Sequence, residues 1–309
     1  MKRFTPMFLF ASLILLGSLT PAAADDTPPS KPPPLPFHTI EGVGGGAITP
    51  MAYLVNPAPN GQALGLPAVG FDAIMLGEKN LQAFMLTETL FGRVELGYGA
   101  DRLALGTLPD AIRGATGIDI KRNDVWLHSF NLRVLALPEG SFDLPLPALT
   151  VGGQFKLNDG INTINNRLGH ALNTIGYHRD YGGDFTLTAS KMFTQLGGHP
   201  LILTAGGRES QAANLGFLGF SNHWSATFEA NAAFLPTSWL LLAYEFRQKA
   251  DPYGDKLKPL INGEDDWHGF DVAWIINSHA TLVGGYGIFG TLANSKADNA
   301  WWLQVKYEL

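Results

Sequence analysis

Two residues in the stretch HWSATFE could do covalent chemistry. His223 and Ser225 stand two apart, a spacing that puts both on one face of an extended strand, with Glu229 further along that face. A serine that attacks an ester needs a base within hydrogen-bond reach, and neighbours of this kind can supply one. No cysteine occurs in the 309 residues, which removes thiol nucleophiles, thiolate metal sites and disulfides together. Oxygen ligands gather at Asp251, Asp255, Glu264, Asp265 and Asp266, but without the ordered spacing of a calcium loop, so a solvated acidic surface is the plainer reading. His170 and His178, a close pair within one loop, fit no metal motif. EGVGGGAITP has neither the strand before it nor the helix after it that a nucleotide-binding glycine fingerprint requires. No cofactor and no metal site is expected.

A larger set of ionisable residues follows the period of a β-strand. In GRVELGYGAD, Val94, Leu96, Tyr98 and Ala100 share one side, and Arg93, Glu95 and Asp101 the other. Reading the other segments by the same parity collects Arg133, Lys156, Arg208, Glu229, Glu245, Arg247, Asp271, Lys306 and Glu308 on the polar face. Charges in such numbers cannot sit in hydrocarbon, so they face water or one another. They are either the lining of a polar pore or a salt-bridge network that fills a closed lumen. Their mixed signs argue against a strongly ion-selective channel.

The elements that must carry these residues are long, alternating strands. NAWWLQVKYEL puts Trp301, Leu303, Val305, Tyr307 and Leu309 on one face against Gln304, Lys306 and Glu308. ALTVGGQFKL, HWSATFEANAAF and GFDVAWII repeat the pattern. Soluble antiparallel sheets alternate too, but these segments run about ten residues, the length of a tilted membrane strand. Tight turns around Gly198, Pro236 and Ser278 alternate with long polar linkers, as in barrels with short turns on one rim and long loops on the other. Counted back from the terminus, strands fall at about 301–309, 281–289, 267–276, 239–247, 223–234, 200–208, 184–192, 148–157, 125–137, 92–101, 81–89 and 68–76. The fold class is therefore all-β, a transmembrane antiparallel up-and-down barrel of about twelve strands, within a range of about 10 to 14. Lys191, on the lipid face near a strand end, can snorkel to the headgroups.

The N-terminus fits that reading. Lys2 and Arg3, an apolar stretch from Met7 to Leu19 and small residues at Ala22 and Ala24 form a secretory signal over residues 1–24, whose removal takes the formal charge from -6 to -8. Nothing basic then remains to suggest nucleic acid. Six prolines within the thirteen residues from Asp25 to Phe37 make residues 25–38 an extended periplasmic leader. Residues 39–67, rich in glycine, are a further strand or an inward-folded lumen plug, and residues 68–309 the barrel. Within one long connection Ile161, Ile164, Leu168, Leu172 and Ile175 follow a helical stripe, with Asp159 placed to cap it and Gly176 to end it. That short helix would narrow the mouth.

TIEGVGGGAITPMAYLVNP, TLFGRVELGYG, KLNDGINTINNRLGHALNTIGYHRDYGGDFTLTASKMF and LTAGGRESQAANLGFLGF resemble the proteobacterial family catalogued as domain of unknown function 3034. The resemblance spans about Phe37 to Leu309 and implies an exported, outer-membrane protein, with no catalytic residues to carry over. The His-x-Ser spacing is also similar to that of outer-membrane phospholipase A and lipid A deacylase. Those families' active residues face lipid, whereas the parity here turns His223 and Ser225 inward.

The favoured expectation is a passive outer-membrane channel for small solutes. The alternatives are a closed structural barrel with a salt-bridged lumen and a lipid hydrolase using His223 and Ser225. The expected partners are outer-membrane lipid and lipopolysaccharide, the barrel-assembly machinery at the C-terminal strand, and an unidentified solute.

Overall fold

Twelve antiparallel strands close on themselves in the computed structural model, which describes residues 35–58, 61–253, 263–292 and 295–309. The expected signal segment, nearly all of the leader and Asp255 fall outside them. The strands are β1 (Ala68–Leu76), β2 (Lys79–Leu90), β3 (Val94–Ala104), β4 (Asp124–Leu137), β5 (Ala148–Asp159) and β6 (Tyr181–Leu196). They continue as β7 (His199–Ala212), β8 (Phe220–Thr237), β9 (Leu240–Arg247), β10 (Trp267–Ile275), β11 (Ala280–Ile288) and β12 (Ala300–Glu308). Each pairs with its neighbours in the chain, and β12 closes the cylinder on β1 from Trp301 opposite Met75 to Glu308 opposite Ala68. Closure leaves no edge, which hydrocarbon would not tolerate.

The register turns the apolar set outward. Trp274 is 54% and Leu303 51% exposed, and Phe71, Phe130, Phe185, Phe270 and Val305 lie on the same outer surface. An apolar belt on every side of a closed cylinder is what a bilayer dissolves. Cross-strand ring pairs, Tyr98 with Phe130 and Tyr244 with Phe270, knit that surface.

Both ends of the barrel chain lie on one rim, because Ala68 faces Glu308. Gly197–Gly198 and Ser238–Trp239 make tight turns there, while residues 138–147 form a longer one with a 3-10 turn at Ser141–Asp143. Lys191 reaches that loop, its ammonium donating to the Pro145 carbonyl at 2.8 Å. The opposite rim carries the long connections, except for the two-residue turn between β1 and β2. Its connection 105–123 holds α1 (Leu108–Thr116), a helix not expected from the sequence, with a proline in its first turn and Gly117 closing it at φ 73. The amphipathic stripe forms α2 (Ile161–Arg167) and then a 3-10 turn over Ala171–Ile175. Its cap differs from the expectation: Asn158 accepts the Ile161 N–H at 3.0 Å, and Asp159 pairs instead with Arg122 at 2.9 Å. Ile164 is buried in the same apolar cluster as Phe217 and Phe220, and Leu168 packs against that cluster, so α2 turns its apolar face to this end of the barrel.

Candidate functional site

The lumen is occupied by the chain itself. Residues 36–55 run inside the barrel and, apart from a half-buried Tyr53, are fully buried. Two very short strands, Phe37–His38 and Gly44–Gly45, pair with each other there. The glycines allow this: Gly42, at φ 79, lies against the backbone of β3, and a Cβ at Gly97 would overlap its carbonyl oxygen. At the rim of the termini Phe37 and Met51 pack on Ile202, Leu235, Leu241 and Ile275. At the loop rim Ile40 and Ile48 pack on Leu81, Leu103, Trp267 and Trp302. Between the two apolar layers the plug meets polar wall.

A segment without regular structure exposes backbone groups that must find partners once buried. The wall supplies them. Glu245 accepts the N–H groups of Ala47 at 2.7 Å, Ile48 at 3.2 Å and Thr49 at 2.8 Å, and also the Thr49 hydroxyl. Arg133 donates to the carbonyls of Gly44, Met51 and Tyr53 at 2.8, 2.9 and 2.9 Å. Glu95, paired with Arg133 at 3.1 Å, accepts the N–H groups of Gly44 and Val55. Lys306 donates to the Pro36 carbonyl at 2.5 Å, and Asn131 to that of Glu41 at 2.7 Å.

One plug side chain enters an ionic ring. Across five neighbouring strands the wall alternates in sign: Lys156, Asp184, Arg208, Glu229, Arg247. Successive contacts are 2.6, 2.7, 2.5 and 3.3 Å. Glu41 closes the circle, meeting Lys156 at 2.5 Å, Arg208 at 3.1 Å and Arg247 at 2.7 Å. Three cations face three carboxylates, all buried, so each has the partners that its desolvation demands.

Ten of the eleven expected lining residues face this interior. Asp271 accepts the Trp302 indole N–H at 3.0 Å, while Asp101 is buried with neither carboxylate oxygen hydrogen-bonded among the described residues. Arg93 is the exception and a correction. It sits in the β2–β3 turn, exposed, reaching the Leu135 carbonyl at 3.4 Å, because the strand begins one residue later, at Val94. Parity carries no information in a turn. Asp72 and Asp184, both buried and inward, were missed although their alternation was readable in AVGFDAIML and GGDFTLTAS.

His223 and Ser225 do not assemble a nucleophile and base: no hydrogen bond joins them among the described residues, and His223 is exposed beside an irregular register between Phe220 and Ser225. The acidic loop residues serve the backbone. Glu264 accepts the Asn214 N–H, Asp265 that of Thr291 and Asp266 that of Lys249. His170 and His178 are both exposed.

Between plug and wall an apolar void of about 30 Å³ is lined by Ile40, Ile48, Leu103, Phe289 and Trp302. A polar void of about 10 Å³ lies among Lys156, Arg208, Thr227, Arg247, Gln248 and Lys249. Both are on the scale of single water molecules. Burial brings the Lys249 ammonium down to about 8, with Glu264 beside it, at 3.4 Å, opposing the shift.

The sequence model of the family described as "Protein of unknown function (DUF3034)" matches residues 36–306, and the chain belongs to that family. No curated protein matches the sequence. Among solved structures it is similar to the KdgM porin, at 8% identity and a TM-score of 0.46 over 78% of this chain and 99% of that one. An outer membrane channel from Pseudomonas putida F1 gives 10% and 0.44 over 82% and 98%, and the outer membrane protein Omp33 of Acinetobacter baumannii 7% and 0.41 over 80% and 100%.

Proposed function

We propose that this member of the family is an outer-membrane barrel whose path for small solutes is closed at rest by its own residues 36–55. The observation that carries the reading is the way the plug is held. Glu245, Arg133, Glu95 and Lys306 spend their hydrogen bonds on its backbone. Water can take over such bonds when the segment moves, at a net cost of about 1 kcal/mol each, whereas an apolar core offers no such exchange. With the plug displaced, Glu95, Asp101, Arg133, Lys156, Arg208, Glu229, Glu245, Arg247, Asp271 and Lys306 would face the solute. The secretory signal expected from the sequence, the even number of strands and the apolar exterior support the outer membrane as the site of action.

The ionic ring favours a second reading, a permanently closed structural barrel, because every member of it is already paired. Planar-bilayer recordings separate the two. The intact chain is expected to be silent or to open briefly, and the chain lacking residues 36–55 to show steady steps. A deletion variant that inserts as a folded barrel and still passes no current would leave the structural reading standing.

A further inference from the structure

Taken without the plug, the ring is one anion short. The wall contributes Lys156, Arg208 and Arg247 against Asp184 and Glu229, and the missing carboxylate comes from Glu41, which touches all three cations. Arg247 grips it with both arms of the guanidinium, NH1 to Oε2 at 2.7 Å and NH2 to Oε1 at 3.3 Å. A fork of this kind matches a planar carboxylate. The place is built for a carboxylate, yet the group that fills it belongs to the one segment that must leave for the lumen to open. Departure of Glu41 alone would strand a buried positive charge, which is costly.

On one side the three cations border polar space rather than apolar packing: a void the size of one water molecule is lined by Lys156, Arg208 and Arg247 together with Gln248 and Lys249, just past the end of β9. Lys249, paired with Glu264 at 3.4 Å, stands at its edge. The apolar layer above the plug offers no comparable polar space, its void being walled by Ile40, Ile48, Phe289 and Trp302.

We propose that Lys156, Arg208 and Arg247 form a binding site for small organic carboxylates, which Glu41 occupies as an internal stand-in, so that a carboxylate solute competes with Glu41 and releases the plug. No covalent step is involved: one carboxylate replaces another on the same three cations. This rests on the plugged-channel reading, but binding is measured separately from conduction.

The test is calorimetry of the purified full-length protein in detergent with sodium benzoate, benzamide serving as the uncharged isostere and sodium sulfate as a non-planar oxyanion at matched ionic strength. Glu41→Gln removes the competitor, so benzoate is expected to bind that variant at least tenfold more tightly than the unmodified chain. Arg247→Gln in the same background is expected to abolish the gain. Equal affinity with and without Glu41, or equal binding of benzamide, overturns the proposal, and tighter binding of sulfate than benzoate overturns the carboxylate assignment.

Should Glu41→Gln fail to fold, a second measurement keeps Glu41 in place. The chain has no cysteine, so Ala52→Cys is a unique reporter inside the plug. Its reaction with a thiol reagent should accelerate several-fold in benzoate over equal chloride, and an unchanged rate again refutes the site. Carboxylate binding without current in the deletion variant would sink the channel reading alone; current without binding would sink only the site.

Discussion

Replacing Glu245 by alanine removes one of the main anchors of the plug. Three buried backbone N–H groups, those of Ala47, Ile48 and Thr49, lose their acceptor. A buried donor left without a partner costs about 1 to 3 kcal/mol. The space vacated by the carboxylate admits water, so the lower figure applies, and the seated plug loses about 3 kcal/mol relative to the released one. At 1.4 kcal/mol per factor of ten, that raises the released population about a hundredfold. Glu245→Gln keeps one acceptor oxygen and should fall about midway on a logarithmic scale. The assay is the labelling rate of Ala52→Cys under conditions where reclosing outpaces labelling, so that the rate follows the released population. Heat-modifiable migration on a gel confirms that the barrel itself is intact. A rise below threefold in a folded Glu245→Ala variant would refute the assignment of Glu245 as an anchor.

Other perturbations test the same construction from different sides. Arg133→Met strands the carbonyls of Gly44, Met51 and Tyr53 and unpairs Glu95, so labelling of Ala52→Cys should rise at least as much as in Glu245→Ala. Gly97→Val puts a side chain where the Gly42 carbonyl lies, and single-channel recordings should show openings from a barrel that still folds. Leu303→Arg places a charge on the outer belt near the middle of β12 and should cost about 2 to 4 kcal/mol in equilibrium folding into liposomes. The same substitution at Leu144, exposed on the rim of the termini, should cost less than about 1 kcal/mol.

The barrel was legible because a period of two is written locally. Each strand from Ala68 to Glu308 announces its two faces within about ten residues, and the tight turns at Gly198, Ser238 and Ser278 set the pairing. The inward charges followed from the same parity, and failed where it has no meaning, at Arg93 in its turn. The contents of the lumen were harder to read. Glu41 meets Lys156, Arg208 and Arg247 across separations of more than a hundred residues, and nothing in TIEGVGGG distinguishes a carboxylate bound for a cationic ring from one on a surface. The glycines of that stretch left a strand and a plug equally open, since both need close backbone approach. Capping of α2 was misassigned between Asn158 and Asp159 because two adjacent side chains compete for one N–H, and the strand register gives the inward position to Asn158.

Cross-linking the plug to the wall tests most directly whether residues 36–55 lie inside the cylinder. The Ala52 N–H donates to the Ser190 hydroxyl at 2.8 Å, so cysteines introduced as Ala52→Cys and Ser190→Cys in this cysteine-free chain face each other. Mild oxidation of the folded protein in liposomes should join them nearly completely and shield both from a membrane-impermeant thiol reagent. A folded, inserted barrel in which the pair does not cross-link, and in which Ala52→Cys reacts as fast as a cysteine on an exposed loop, would contradict the account.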